Sequence, residues 1–176
     1  MRVIGWSNIM KWPGAGGAVV AHRDPTFVQE PEQRSIGVWC ALDHLDERSG
    51  CLAVVPRSHL GAPAVRPHQD PANLHPEVDE AREAQPVVLA PGEALVYDHA
   101  LVHSSGPNHG HEVRIVVAGL LVSEGAPCWY TLRTEELVVV EIDPSFLIDN
   151  QVDQLVTERV LATCPVVRRI PLDATS

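Results

Sequence analysis

Short runs of Val, Ile and Leu, each cut off by Gly, Pro, Asp or Ser, recur along this chain from Val3 to Val122. Helical periodicity is weak over the same stretch, so the pattern predicts an all-β sandwich or barrel. Strands are expected at residues 3–9, 18–22, 36–42, 51–55, 86–89, 94–97, 101–105 and 113–122. Eight such segments suit a double-stranded β-helix, the cupin-like jelly roll in which two four-stranded sheets close around a pocket. At 176 residues and 45% hydrophobic content, the chain can bury a core of its own. The whole of residues 1–176 is therefore read as one domain, with a core over about 1–123 and a C-terminal extension over 124–176. Within the core, residues 56–86 are crowded with Pro, His and acids, too broken for a central strand. They are expected to form a lid or rim over the pocket, or else a plain mobile loop. The extension carries two more strand patterns, at 129–132 and 137–142, and a helical pattern at 149–161.

Composition removes several function classes. The net charge is −10 and no basic cluster offers a phosphate stripe, which argues against a nucleic-acid partner. The longest apolar run, 113–122, contains Arg114 and falls short of the roughly 20 residues a bilayer demands. The opening MRVIGWSNIM lacks a signal-peptide pattern, so no membrane partner and a cytoplasmic location are expected. Cys40, Cys51, Cys128 and Cys164 form no CxxC and are read as buried, reduced thiols. Lys11 is the only lysine and no GxxxxGK[ST] appears, which leaves Schiff-base and P-loop chemistry with almost no candidate.

His22-Arg23-Asp24 spaces two potential metal ligands by one residue, so on an extended segment both leave the same face. His68-Gln69-Asp70 repeats the spacing, but in the Pro-rich loop and without strand character. The segment from Pro91 to Val122 reads as strand, turn and strand, with SGPNHG supplying the turn. A hairpin symmetric about Asn108-His109 sets His103 opposite Arg114 and puts Ser105 on the same face. A neutral, metal-bound imidazole beside an anion-bound guanidinium makes that pairing chemically sensible. His22, Asp24 and His103 then form the two-His, one-carboxylate facial triad of non-haem Fe(II) oxygenases, with three positions open for a chelating co-substrate and oxygen. His99 shares the parity of His103 and competes for its role, but opposes an alanine rather than an arginine in the same hairpin.

Three stretches, AHRDPTF, GVWCALDHLDERSGCLAVVPRSHLG and PGEALVYDHALVHSSGPNHGHEVRIVV, carry a resemblance over His22 to Val117. The chain resembles the phytanoyl-CoA dioxygenase-like family of Fe(II)/2-oxoglutarate oxygenases. The resemblance implies that His22, Asp24 and His103 hold Fe(II), that Arg114 pairs with the distal carboxylate of 2-oxoglutarate, and that Ser105 bonds the same carboxylate. Trp39 would pack against the co-substrate or else be a core aromatic, Pro56, Ser58 and His59 would be structural, and Asn108 would be a turn residue. Arg23, Thr26, Phe27 and the 56–86 loop are expected to border the substrate.

The implied reaction consumes molecular oxygen and 2-oxoglutarate, releases succinate and carbon dioxide, and oxidises a small organic molecule by hydroxylation, desaturation or ring closure. Halogenation is not expected, because halogenating relatives carry a small residue where Asp24 stands. Family members usually carry several tens of residues before the HxD where 21 stand here, which makes the C-terminal extension the expected surface for compensating homo-oligomerisation. Two other readings use the same barrel: a cupin-like metalloenzyme that needs no keto acid and no Arg114, and a catalytically silent binding protein.

Overall fold

A computed structural model describes residues 1–68, 70–149 and 162–172 of the chain. Strands β1 (Arg2–Lys11), β2 (Val19–His22), β3 (Ser35–Ala41), β4 (Leu52–Val54), β5 (Gln85–Pro86), β6 (Ala94–Asp98), β7 (His103–Ser105) and β8 (Arg114–Val122) build two antiparallel four-stranded sheets. One sheet has the order β1-β8-β3-β6 and the other β2-β7-β4-β5. This is the double-stranded β-helix that the strand pattern predicts. Each sheet has one face inward, and β3 shows it plainly: Ser35, Gly37, Trp39 and Ala41 are buried while the residues between them are half-exposed.

The expected hairpin does not form. β7 pairs with β2 and β4, whereas β8 pairs with β1 and β3, so His103 lies opposite His22 and Val54, and Arg114 lies opposite Lys11. In a jelly roll these consecutive strands belong to opposite sheets, and residues 106–113 cross between them rather than fold back. Asn108 organises that crossing: its Nδ2 donates to Lys11 O and Glu112 O, and its Oδ1 accepts from Gly110 N. Turn residues mark where a chain changes direction and are silent on which sheet receives it. His103 and Arg114 still face a common interior, because the two sheets face each other and both side chains are buried.

Gly50 explains the SG of the second matching stretch. Its φ is +72°, and a Cβ there would lie 2.5 Å from Gly106 O, so only glycine lets the turn before β4 press against the β7–β8 crossing.

The described residues between 56 and 86 form a loop pinned to the barrel. Arg23 N donates to Asn73 O and His75 N to Ala21 O, which fasten residues 73–75 along β2. Arg66, only 2% exposed, makes a two-pronged ion pair with Glu30 at 2.8 and 3.0 Å, and its Nε donates to Asp24 O at 2.8 Å. Two short helices, a 3-10 turn at Pro71–Asn73 and α1 (Glu80–Glu83), interrupt the loop.

Beyond the barrel, β9 (Cys128–Arg133), β10 (Glu136–Ile142) and β11 (Val166–Pro171) form a separate antiparallel sheet in the order β11-β10-β9. The pattern at 129–132 and 137–142 predicts the first two, and β11 is an addition. Tyr130, Leu132, Val138, Val140 and Ile142 join Ile4, Phe27, Val28 and Val122 in one apolar cluster, while Trp129, Leu137, Val139 and Ile170 form a second with Val65. Helix α2 (Phe146–Asp149) packs on β1. The helix expected at 149–161 lies, after its first residue, outside the described residues. No helix among the described residues is long and apolar enough to cross a membrane.

Candidate metal centre and its neighbours

His22 ends β2, Asp24 follows two residues later, and His103 opens β7 directly across from His22. Strand pairing therefore delivers two imidazoles side by side, with ring centroids 4.3 Å apart. His22 Nε2 lies 3.7 Å from Asp24 Oδ1, and His103 Nε2 lies 3.8 Å from Asp24 Oδ2. One ligand atom from each residue falls within 4.8 Å of the others. The hydrogen bonds behind the rings match this arrangement: His22 Nδ1 lies 2.9 Å from Val20 O, and His103 Nδ1 lies 2.9 Å from Leu101 O. A carbonyl can only accept, so each Nδ1 carries a proton, and in the neutral ring each Nε2 then presents its lone pair toward Asp24. Burial also pushes the His103 pKa down, outweighing the upward pull of Asp24, which favours the neutral ring a metal needs. The donor set thus fits a divalent transition metal.

His99 is not part of the cluster. Its ring is fully buried beside Phe27, at 5.3 Å between centroids, with neither nitrogen partnered among the described residues. The second HxD parts its two side chains: His68 stacks on Tyr130 and Asp70 pairs with Arg133. Among the described residues, His22, Asp24 and His103 are the one group of His, Cys, Asp and Glu close enough to hold an ion.

Tyr97 and Lys11 escaped the sequence reading. Tyr97 O–H donates to Asp24 Oδ2 at 3.2 Å, and its ring meets His103 edge-on at 5.0 Å between centroids. Its partner across the sheet is Gly37, where a Cβ would come within 2.4 Å of the tyrosine ring. The only signal was a glycine inside a strand, which marks a close approach. Lys11 ends β1, opposite Arg114, and its buried ammonium donates to Ser105 Oγ at 2.7 Å, Ser105 O at 3.0 Å and Gly106 O at 2.5 Å. Burial first, then the Arg114 charge, lower the Lys11 pKa to about 8.

Arg114 is 2% exposed, donates through Nη2 to Gly50 O at 3.3 Å, and stands 5.4 Å from the centre of the Trp39 ring. Its Nε and Nη1 have no partner among the described residues. Two cationic side chains, one with unused donors, and the Ser105 hydroxyl thus share one buried end of the barrel.

A cavity of about 540 Å³ is lined by Lys11, Trp39 and Ser105 from this cluster, by His22, Asp24, Tyr97 and His103, and by Trp6, Phe27, His68, Leu120 and Leu147, while Arg114 stands behind Trp39 and is not itself on the wall. Of the residues expected to border a substrate, Phe27 lines the cavity, as does His68 of the 56–86 loop. Thr26 instead receives Arg66 N, and Arg23 reaches Ala100 O, Ser58 O and His75, so both are tied to that loop. Ser58 accepts from Val102 N through its hydroxyl, a supporting role.

The phytanoyl-CoA dioxygenase (PhyH) family profile matches residues 1–116. The chain belongs to this family. Phytanoyl-CoA dioxygenase 1 of Oryza sativa subsp. japonica is 33% identical over 105 residues, covering 57% of this chain and 37% of that protein. Phytanoyl-CoA dioxygenase domain-containing protein 1 of Danio rerio is 31% identical over 142 residues, 73% of this chain and 49% of that protein. The chain thus spans half or less of the length of these PhyH relatives. Among solved structures, EvdO2 from Micromonospora carbonacea var. aurantiaca complexed with 2-oxoglutarate is similar, with a TM-score of 0.53, 28% identity, and coverage of 68% of this chain and 51% of that one. The fold is shared as well with the non-heme alpha ketoglutarate dependent carbocyclase SnoK, at a TM-score of 0.59 and 24% identity over 72% of this chain and 51% of that one.

Proposed function

We propose that the chain is a non-haem Fe(II)- and 2-oxoglutarate-dependent dioxygenase acting on a small organic substrate. The observation that carries the reading is the pairing, in one barrel, of a His22–Asp24–His103 cluster whose Nε2 atoms converge on Asp24 with a buried Arg114 whose Nε and Nη1 lack partners among the described residues. A buried cation with idle donors is costly unless an anion meets it. A dicarboxylate reaching from the metal to Arg114 would supply one.

His22, Asp24 and His103 would hold Fe(II), which when bound supplies oxygen activation coupled to loss of carbon dioxide from the keto acid. Arg114 would bind the distal carboxylate through its planar fork, with Lys11 adding charge and Ser105 a hydroxyl donor. Trp39 would wall the co-substrate against the barrel core. Tyr97 holds one Asp24 oxygen and so limits how the carboxylate turns. The apolar part of the cavity wall, which includes Trp6, Phe27, Leu120 and Leu147, would seat the substrate and exclude water. With Asp24 in place rather than a small residue, the expected product carries a new hydroxyl, double bond or ring, and no halogen.

The test is anaerobic addition of 2-oxoglutarate to the Fe(II)-loaded protein. A weak visible charge-transfer band supports the reading. Its absence overturns the reading, because neither a keto-acid-independent cupin enzyme nor a silent binding protein requires the band.

A further inference from the structure

His68 belongs to the second HxD, the motif that the metal centre leaves unused. It sits in the 56–86 loop and reaches across to β9, where its backbone N–H donates to Thr131 O at 2.8 Å and its Nδ1 accepts from Thr131 N–H at 3.1 Å. That second bond determines the proton's place. A backbone N–H can only donate, so Nδ1 is bare and Nε2 carries the hydrogen. The ring is held still as well, stacked on Tyr130 at 3.9 Å and edge-on to Phe27 at 4.9 Å between centroids. Burial lowers the pKa to about 3, so this tautomer persists at any pH where the protein works.

Nε2–H is therefore a fixed donor, and it has no acceptor among the described residues. The ring lines the cavity, in company with Phe27, Leu120 and Leu147. A buried donor left without a partner destabilises a fold unless a bound molecule completes it. We propose that His68 is a specificity-determining residue whose Nε2–H receives an oxygen acceptor, a carbonyl, ether or hydroxyl oxygen, on an otherwise apolar substrate. This deepens the oxygenase reading and rests on the same cavity. It predicts that a purely hydrocarbon ligand binds less well than one of equal shape with an oxygen at the right place.

The test uses zinc-loaded protein and two probes of similar shape, cyclohexanone and methylenecyclohexane, with ¹⁵N-histidine NMR reading the His68 Nε2–H. Cyclohexanone should move that proton downfield and bind roughly 2- to 10-fold more tightly than the hydrocarbon, the worth of one neutral hydrogen bond. Two variants separate anchoring from mere support. His68→Asn places an amide oxygen where Nδ1 accepts from Thr131 but has no donor at Nε2, so it should lose the preference for the ketone. His68→Gln can donate from the Nε2 position and gives up the Thr131 bond, so it should keep the preference. The reverse order, or no response of Nε2–H to the ketone, overturns the proposal. The oxygenase reading is judged separately by the charge-transfer band, since a His68→Asn protein should still form it.

Discussion

β3 of the barrel and β10 of the C-terminal sheet are both seven residues long, yet they bury different things. β3 alternates, turning Ser35, Gly37, Trp39 and Ala41 inward, and three of those four residues are small. β10 buries Leu137 to Val140 without a break, as a strand does when both its faces are covered. The barrel interior thus keeps volume free and spends polar side chains on it, while the C-terminal sheet fills its space with aliphatic packing. The second region supports the first through the shared apolar cluster and the Arg133–Asp70 pair, and along its edge Trp129 N donates to Phe27 O while Thr131 holds His68 at both its backbone and its ring. Chemistry and support are divided between regions, and the division can be tested by mutation.

The largest expected effect is in the barrel. Asp24→Ala or His22→Ala should abolish Fe(II) binding in a calorimetric titration while thermal unfolding stays near that of the parent, because neither side chain packs a core cluster. A large loss of stability on either change would contradict the division. The converse variant is Leu137→Ala in β10, where a buried leucine is truncated inside aliphatic packing. It should cost about 2–5 kcal/mol in denaturant unfolding. Metal affinity, measured well below the unfolding transition, should remain within a few-fold.

Next in size is Arg114→Leu. Losing a charge-assisted pair should weaken 2-oxoglutarate binding by about 1.5–3 kcal/mol, roughly 10- to 150-fold, with iron affinity almost unchanged. Lysine at the same position should restore only part, since it lacks the fork. Tyr97→Phe should be smaller. Removing the hydrogen bond to Asp24 should lower Fe(II) affinity about tenfold, the low end of what partners behind metal ligands contribute. An unchanged affinity would reduce Tyr97 to a wall of the cavity.

How much of this was legible depended on the range of the interactions involved. Strand existence follows from local alternation, which is why all eight barrel strands are readable between Val3 and Val122. His22 and Asp24 are neighbours in sequence, so their shared direction is a local matter too. The pairing of His103 is not: turn chemistry at SGPNHG invites a hairpin, and only the global topology sends β7 and β8 to opposite sheets. Tyr97 and Lys11 were illegible for the same reason, since each acquires its role from a residue more than 70 positions away. β10 carried its two-faced burial openly in Leu-Val-Val-Val, but nothing local names the partners on either face.

Lys11 provides the smallest and most discriminating effect, through pH. In the folded protein its pKa is about 8, below the ordinary 10.5, so the folded state surrenders this proton before the unfolded chain does. Between those values the unfolded state binds more protons, and stability of the ligand-free protein gains from Lys11 as pH rises. Below about 8 both states are protonated, and the full cost of a charge buried beside Arg114 is felt. Co-substrate binding should move the other way. A neutral Lys11 offers the carboxylate no charge, so 2-oxoglutarate affinity should fall a few-fold as pH climbs through this range. The nearby Cys51 thiol, pushed up by burial, does not mimic the trend at the lower end. Lys11→Met should flatten both Lys11 contributions, raising ligand-free stability near neutral pH while lowering 2-oxoglutarate affinity there. Affinity that holds steady across this range in the parent protein would exclude Lys11 from the carboxylate site and leave Arg114 and Ser105 to bind it alone.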